Sequence, residues 1–80
     1  MKIIFSAHSL LKLKQRNIIK QKIIQTVKNP DVVLLSLLNR KMAYKKFGKL
    51  YLKVVFIEEN DKIVIITQYW DEQFNKKIWK

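Results

Sequence analysis

The tripeptide Asn29-Pro30-Asp31 divides the sequence into two parts that have different hydrophobic periods. Before it, apolar residues recur at the spacing of an amphipathic helix; after it, they alternate as they do in strands. Proline ends a helix because it lacks an amide hydrogen and its ring clashes with the preceding turn. A chain of 80 residues has room for one small core. The pattern therefore predicts a single α+β domain over residues 1–80.

Two helices are predicted before this break. Ser6 is a suitable N-cap for a helix that begins at Ala7, and a second helix follows an interruption near Asn17. The short apolar run from Lys2 to Phe5 is compatible with a first strand. One polar face of the first helix carries three residues at positions i, i+4 and i+8: His8, Lys12 and Arg16.

The second part of the chain is predicted to form three or four antiparallel strands. The strand-like segments are residues 32–38, 42–47, 50–57 and 62–70, and the acidic segment 58–61 supplies a hairpin turn. Trp70, Phe74 and Ile78 stand at i, i+4 and i+8, which predicts a short C-terminal helical tail that docks on the sheet. The predicted architecture is thus two N-terminal helices packed on a three- or four-stranded antiparallel sheet.

The charge is strongly positive and unevenly distributed. Seventeen Lys and Arg residues face six Asp and Glu, so the formal net charge is +11. Asp31 is the single acid among residues 1–53, and residues 54–80 are close to neutral. Such clustering favours a polyanionic partner, and we expect RNA.

Several classes of function are excluded by the inventory of residues. The chain has no cysteine, one histidine and one glycine, so thiolate zinc sites and glycine-rich nucleotide-binding loops have no candidates. We expect neither a metal nor another cofactor. The longest near-apolar run, Val32 to Leu38, is far too short to span a bilayer, so we expect a soluble cytoplasmic protein without membrane contact.

The remaining residues suit metal-free chemistry on RNA. Cleavage requires a base for the 2′-hydroxyl, cations for the charged intermediate and an acid for the leaving oxygen. A lysine crowded by other cations has a lowered pKa and could serve as the base. The candidate catalytic residues are His8, Lys12, Arg16 and Tyr69. The candidate nucleic-acid-binding residues are Arg40, Lys41, Tyr44, Lys45, Lys46, Lys49 and Lys53, and Tyr44, Tyr51 and Tyr69 could stack on bases.

Each of these assignments has a structural alternative. His8 could be a capping or half-buried residue, and Arg16 could bond a backbone carbonyl instead of a phosphate. The strand lysines could form a solvated edge that prevents aggregation. The aromatic residues of the tail, with Trp79 among them, could either complete the core or form a surface for an acidic protein partner.

The segment Phe5-Ser6-Ala7-His8-Ser9-Leu10-Leu11-Lys12-Leu13-Lys14-Gln15-Arg16-Asn17-Ile18 resembles the opening motif F-S-x-H-A-x-x-R-M-x-x-R-G-I of a widespread bacterial and archaeal small-domain family. The resemblance extends over residues 3–70, through 28–31, 51–56 and 66–69. It places the family's histidine on His8 and its two arginines on Lys12 and Arg16. Ser9 replaces the usual alanine, and Asn17 replaces a glycine.

That family is similar to the RelE/ParE toxin superfamily, whose members pair helices with an antiparallel sheet and either cleave messenger RNA or inhibit gyrase, usually under an antitoxin. The resemblance implies a toxin-like RNA-binding domain, with metal-independent ribonuclease activity as one expectation and an acidic antitoxin as a partner. The alternative is a non-catalytic module that binds nucleic acid or protein, including a degenerate toxin or a gyrase-type inhibitor.

Overall fold

A computed structural model describes residues 2–74 as an α+β fold with two helices and one five-stranded sheet. Across the sheet the strand order is β1-β5-β4-β3-β2. The elements in chain order are β1 (Lys2–Phe5), α1 (Ala7–Gln15), α2 (Lys20–Lys28), β2 (Val32–Leu35), a 3-10 turn (Leu37–Asn39), β3 (Lys41–Phe47), β4 (Leu50–Glu59) and β5 (Lys62–Asp71).

The predicted sheet of three or four antiparallel strands is wrong, because the sheet has five strands and is mixed. β1 pairs with β5 in parallel, in a register that aligns Lys2 with Lys62 and Phe5 with Ile65. The prediction of two helices at the N-terminal side of the sheet also fails, because both helices follow β1. Parallel pairing joins segments that are distant in sequence, and no hairpin turn marks it.

The ends of α1 follow from local hydrogen bonding. The Ser6 hydroxyl accepts a hydrogen bond from the Ser9 amide at 3.0 Å, which caps the first turn, and it donates to the Ile66 carbonyl of β5 at 3.1 Å. At the other end Asn17 adopts a positive φ of 53°, a conformation that asparagine tolerates better than most residues. Ser6 therefore fixes both the start of α1 and its position on β5.

The core lies between the helices and one face of the sheet. α1 packs on β5, and α2 packs on β3 and β4. Strand side chains alternate between faces, so β4 presents every second residue to the helices. The buried apolar residues are Ile18, Ile23, Ala43, Leu52, Val54, Phe56 and Ile65. The other face of the sheet carries no helix among residues 2–74.

Two-residue turns connect the last three strands. Gly48 has a φ of +66° between β3 and β4, and Asn60 and Asp61 both have positive φ between β4 and β5. These are the backbone conformations that tight hairpins require. Glu58 and Glu59, predicted as turn residues, belong to β4 instead.

The end of β5 differs from the predicted helical tail. Trp70 is a strand residue. The Asp71 carboxylate then accepts hydrogen bonds from the amides of Gln73 and Phe74 and turns the chain. Ile78 and Trp79, the remaining tail residues of the prediction, lie outside the described residues. Within residues 2–74, neither helix has the length and apolar character needed to cross a bilayer.

Candidate functional site

A row of cations and tyrosines crosses the helix-free face of the sheet. Tyr44 of β3 lies opposite Lys53 of β4, and Lys53 lies opposite Tyr69 of β5. Directly opposed residues of neighbouring strands project to the same face. Arg16 extends the row, because its guanidinium carbon is 5.6 Å from the centre of the Tyr69 ring. We call these four residues the cationic row.

Lys53 occupies the middle of the cationic row. Its Nζ lies 5.2 Å from the centre of the Tyr69 ring and 5.8 Å from that of Tyr44, so both rings attract the ammonium. Partial burial lowers the pKa of Lys53, but attraction to the hydroxyls of Tyr69 and Tyr44 outweighs it, and the pKa lies above its ordinary value. Lys53 therefore stays protonated and is unsuited to act as a general base. The idea of a lysine base fails at this position.

Arg16 holds the open edge of β5. β1 ends at Phe5 and pairs with β5 only as far as Ile65, so within residues 2–74 the next residues of β5 pair with β4 on one side and have no strand on the other. Arg16 Nη1 donates to the Gln68 carbonyl at 2.7 Å and to the Thr67 hydroxyl at 3.4 Å. The structural alternative for Arg16, a bond to a carbonyl, is thus what the structure shows. A guanidinium has five N–H donors, so this bond leaves others for a phosphate.

A buried polar pair, Ser9 and Gln68, fixes the position of Arg16 relative to β5. The Ser9 hydroxyl donates to Gln68 Oε1 at 2.5 Å, and Gln68 Nε2 donates to the Ser9 carbonyl at 3.0 Å. Both residues are fully buried. These two bonds tie α1 to β5 and thereby fix where the end of α1 meets the strand. Sequence reasoning missed Gln68; the available signal was a polar pair, Thr67 and Gln68, in the middle of an apolar strand.

Tyr44 is not available to stack on a base in this conformation. It is 4% exposed, and its ring stacks on Phe74 with centroids 3.9 Å apart. The Tyr51 ring meets the same Phe74 edge-on at 4.9 Å. Phe74 therefore closes this part of the face, whereas Tyr69 is half-buried and lies beside two cations.

His8, Lys12 and Arg16, the candidates predicted on the first helix, share one stripe, but only Arg16 joins the cationic row. His8 is exposed in the first turn of α1, Lys12 is half-buried, and Arg16 is the C-cap. Eight residues of helix separate the α-carbons of His8 and Arg16 by about 12 Å along the axis. Catalysis that used His8 together with Arg16 would need a substrate that spans this distance.

The predicted strand cations are divided between the two faces of the sheet. Lys41 and Lys45 lie on the helix side, where Lys41 forms an ion pair with Glu58 at 2.6 Å and Lys45 donates to the Asn29 carbonyl at 3.0 Å. Lys46 lies on the same face as Lys53. It is two residues after Tyr44, and Tyr44 lies directly opposite Lys53. Arg40 and Lys49 are exposed at the two ends of β3.

The arrangement suits anion binding. In the part of the chain that the structure describes, no three His, Asp or Glu residues cluster as metal ligands. The ion pair of Lys41 with Glu58 is the single one found over residues 2–74, so Arg16, Lys46 and Lys53 have no carboxylate at salt-bridge distance. Comparison with protein-family models, with curated proteins and with solved structures gives no match.

Proposed function

We propose that this protein is a toxin-like RNA-binding domain whose binding face is the helix-free side of the sheet. The observation that carries the proposal is the cationic row, in which Arg16 and Lys53 flank Tyr69 and neither cation has a carboxylate partner among residues 2–74. Phosphates would contact the cations, and a base of a single strand would stack on Tyr69. A cytoplasmic location and an acidic protein partner belong to the same proposal.

Metal-independent cleavage is a second candidate, favoured by one observation. The ring of Tyr69 lies between two cations, so a phenol that could protonate a leaving oxygen stands beside groups that could stabilise a charged phosphorane. The geometry supplies no base in the row, because Lys53 is held protonated and His8 is two helical turns away. Binding without cleavage is therefore the better-supported function. A gyrase-type inhibitor is a further alternative without an observation of its own.

The binding proposal is tested with a labelled twelve-nucleotide single-stranded RNA and the intact protein. Lys53→Gln removes one cation of the row, and Lys62→Gln removes the same charge from an exposed residue at the start of β5. We expect Lys53→Gln to weaken RNA binding about ten-fold, since a positioned phosphate contact and a stacked neighbour are both affected. Lys62→Gln should change the affinity by less than about two-fold. Fluorescence anisotropy measures both. Equal losses in the two variants would mean that net charge alone binds RNA.

Cleavage is tested by incubating RNA with the protein in excess EDTA. Tyr69→Phe keeps the ring and removes the hydroxyl, while Arg16→Ala also removes the bond to the edge of β5. If the wild type cuts RNA and Tyr69→Phe cuts it much more slowly with unchanged affinity, Tyr69 is part of the chemistry. If the wild type binds but never cuts, the non-catalytic module is established.

A further inference from the structure

β2 is an edge strand that exposes apolar side chains. It pairs with β3 on one side only, and its other side is the edge of the sheet. Four large apolar residues of β2 and the following turn are exposed: Val33 (47%), Leu35 (76%), Leu37 (84%) and Leu38 (83%). We call these four residues the leucine edge. Natural edge strands are usually blunted by lysine or proline, and the segment 32–39 contains neither.

Among residues 2–74, the backbone of β2 also has unpaired groups, which point outward in the plane of the sheet. The Ser36 amide donates to the Arg40 carbonyl at 2.8 Å, and bonded pairs of an antiparallel ladder recur at every second residue. The amides of Val32 and Leu34 therefore face β3. The amides and carbonyls of Val33 and Leu35 face outward, where an added strand could bond them.

Leu38 is held in a conformation that its side chain does not favour. Its φ is 63° and its ψ is 35°, in the left-handed region. A leucine there is strained relative to asparagine or glycine, and this side chain gains almost no burial in return. Strained backbone conformations cluster at functional sites such as ligand clamps and switch regions.

The charges around the leucine edge indicate which kind of partner it would bind. Arg40 stands two residues after Leu38, Lys28 ends the helix that precedes β2, and Lys45 is bonded to the Asn29 carbonyl close to the start of β2. Two acids lie nearby, and both are engaged: the Asp31 carboxylate accepts from the Lys46 amide, and Glu58 is ion-paired with Lys41, which lies opposite Leu35. A second copy of this chain, also with a net charge of +11, would be repelled. An acidic segment would be attracted to the same rim.

We propose that the leucine edge binds an extended acidic segment of a partner protein, which adds a sixth strand beside β2. The outward backbone groups of Val33 and Leu35 would form the ladder bonds. The apolar side chains of the segment would pack on Leu35, Leu37 and Leu38, and its carboxylates would face Arg40 and the neighbouring lysines. This surface lies at the opposite edge of the sheet from Arg16, so it is distinct from the RNA face.

The proposal is tested with a nine-residue capped peptide of alternating glutamate and valine. Two control peptides are used. In the first, lysine replaces each glutamate. The second keeps the sequence but carries an N-methyl group on one valine and one glutamate, so that each edge of the extended peptide loses one hydrogen-bond donor. We expect the acidic peptide to bind the intact protein about ten-fold more tightly than either control, a difference of the size that one or two ladder bonds supply. Its NMR shift changes should centre on the amides of Val33 and Leu35.

Two variants of equal charge separate apolar contact from attraction by net charge. Leu35→Lys places a lysine in the leucine edge, and Leu11→Lys places one on an exposed apolar position of α1. We expect Leu35→Lys to weaken peptide binding about ten-fold despite its extra positive charge, and Leu11→Lys to leave it unchanged. Leu38→Asn, which relieves the backbone, should weaken binding while the protein stays folded.

Three results would overturn the proposal. Equal peptide affinity in Leu35→Lys and Leu11→Lys would show that net charge accounts for binding. Shift changes centred outside β2 would place the peptide elsewhere. A wild-type dimer in sedimentation that Leu35→Lys dissociates would show that a second copy occupies the edge. Loss of RNA binding by Lys53→Gln is measured separately, so failure of one proposal leaves the other standing.

Discussion

At the scale of single residues, Arg16 illustrates how one side chain can serve both the fold and a binding face. Its Nη1 satisfies the Gln68 carbonyl on the open edge of β5, and the same guanidinium lies over Tyr69. An Arg16→Ala variant therefore confounds two losses. Lys53 contacts the side chains of Tyr44 and Tyr69 and, among residues 2–74, no backbone carbonyl, so it is the cleaner probe of the cationic row.

The pair of Ser9 and Gln68 gives a prediction about stability. Ser9→Ala leaves Gln68 Oε1 without its donor in a fully buried position, and we expect the free energy of unfolding to fall by about 1 to 3 kcal/mol. The double variant Ser9→Ala, Gln68→Met removes both partners and should recover part of that loss. Ser36→Ala, at an exposed serine, is the control. Urea unfolding measures all three, and a fully additive double variant would contradict the coupling of the pair.

The raised pKa of Lys53 predicts how binding depends on pH. A lysine whose folded pKa exceeds its ordinary value of 10.5 keeps its charge, and the associated stability, below that value and loses both only as the pH rises through the folded pKa. The ratio of wild-type to Lys53→Gln affinity for RNA should therefore be constant between about pH 7 and pH 9. Anisotropy titrations in matched salt give this ratio. A ratio that declines toward one across this range would indicate a lysine with a lowered pKa.

At the scale of elements, sequence patterns located those features whose causes are local. Ser6 caps α1, the two helices are interrupted around Asn17, and α2 ends before Pro30, as predicted. The pairing of β1 with β5 was missed because it depends on contacts between residues sixty positions apart. The predicted strand 32–38 stops at Leu35, because the chain turns through Ser36 and the positive φ of Leu38 and Asn39.

The candidate site was predictable only in part, for a related reason. Arg16 and Tyr69 were identified by residue type, but their proximity depends on α1 lying along β5, which Ser9 and Gln68 determine. Residue type alone also could not show that Lys41 and Lys53 lie on opposite faces of the sheet, since this depends on the register of β3 and β4.

The strained turn after β2 predicts a stabilising substitution. Leu37 and Leu38 are almost equally exposed, but only Leu38 has a positive φ. Leu38→Asn should raise the free energy of unfolding by about 0.5 to 1 kcal/mol, because asparagine tolerates the left-handed conformation better. Leu37→Asn, the matched control, should be neutral. Urea unfolding compares them, and equal effects would show that backbone strain at Leu38 does not contribute.

At the scale of the whole molecule, the excess of positive charge governs association more than stability. One ion pair is found over residues 2–74, so the cations there are largely available to external anions. Residues 1–53 carry a large excess of positive charge, and exposed cations lie on both faces of the sheet. We therefore expect RNA to be attracted over a long range and from many directions. The cationic row would then select the bound orientation.

The salt dependence of RNA binding tests this description. If the bound state neutralises about four to six phosphates, the plot of log affinity against log salt should have a slope of about −3 to −4, at about −0.7 per phosphate of a single strand. The charge reversal Lys46→Glu, on the same face of the sheet as Lys53, should make the slope shallower. Titrations between low and moderate salt provide the measurement, and a flat plot would exclude a phosphate-based interaction.

The parallel pairing of β1 with β5 has a consequence for how the chain acquires its structure. α1 packs on β5 and is tied to it through Gln68, so neither β1 nor α1 has its partner until the segment 62–71 has been synthesised. A nascent chain that ends before residue 62 therefore exposes Ile3, Phe5 and Leu13, which pack on the core in the finished fold. Such long-range closure slows folding relative to a helical bundle of the same size. Synthesis of this protein thus passes through an interval in which its first strand and helix lack the strand that covers them, and the nascent chain is then most prone to aggregate.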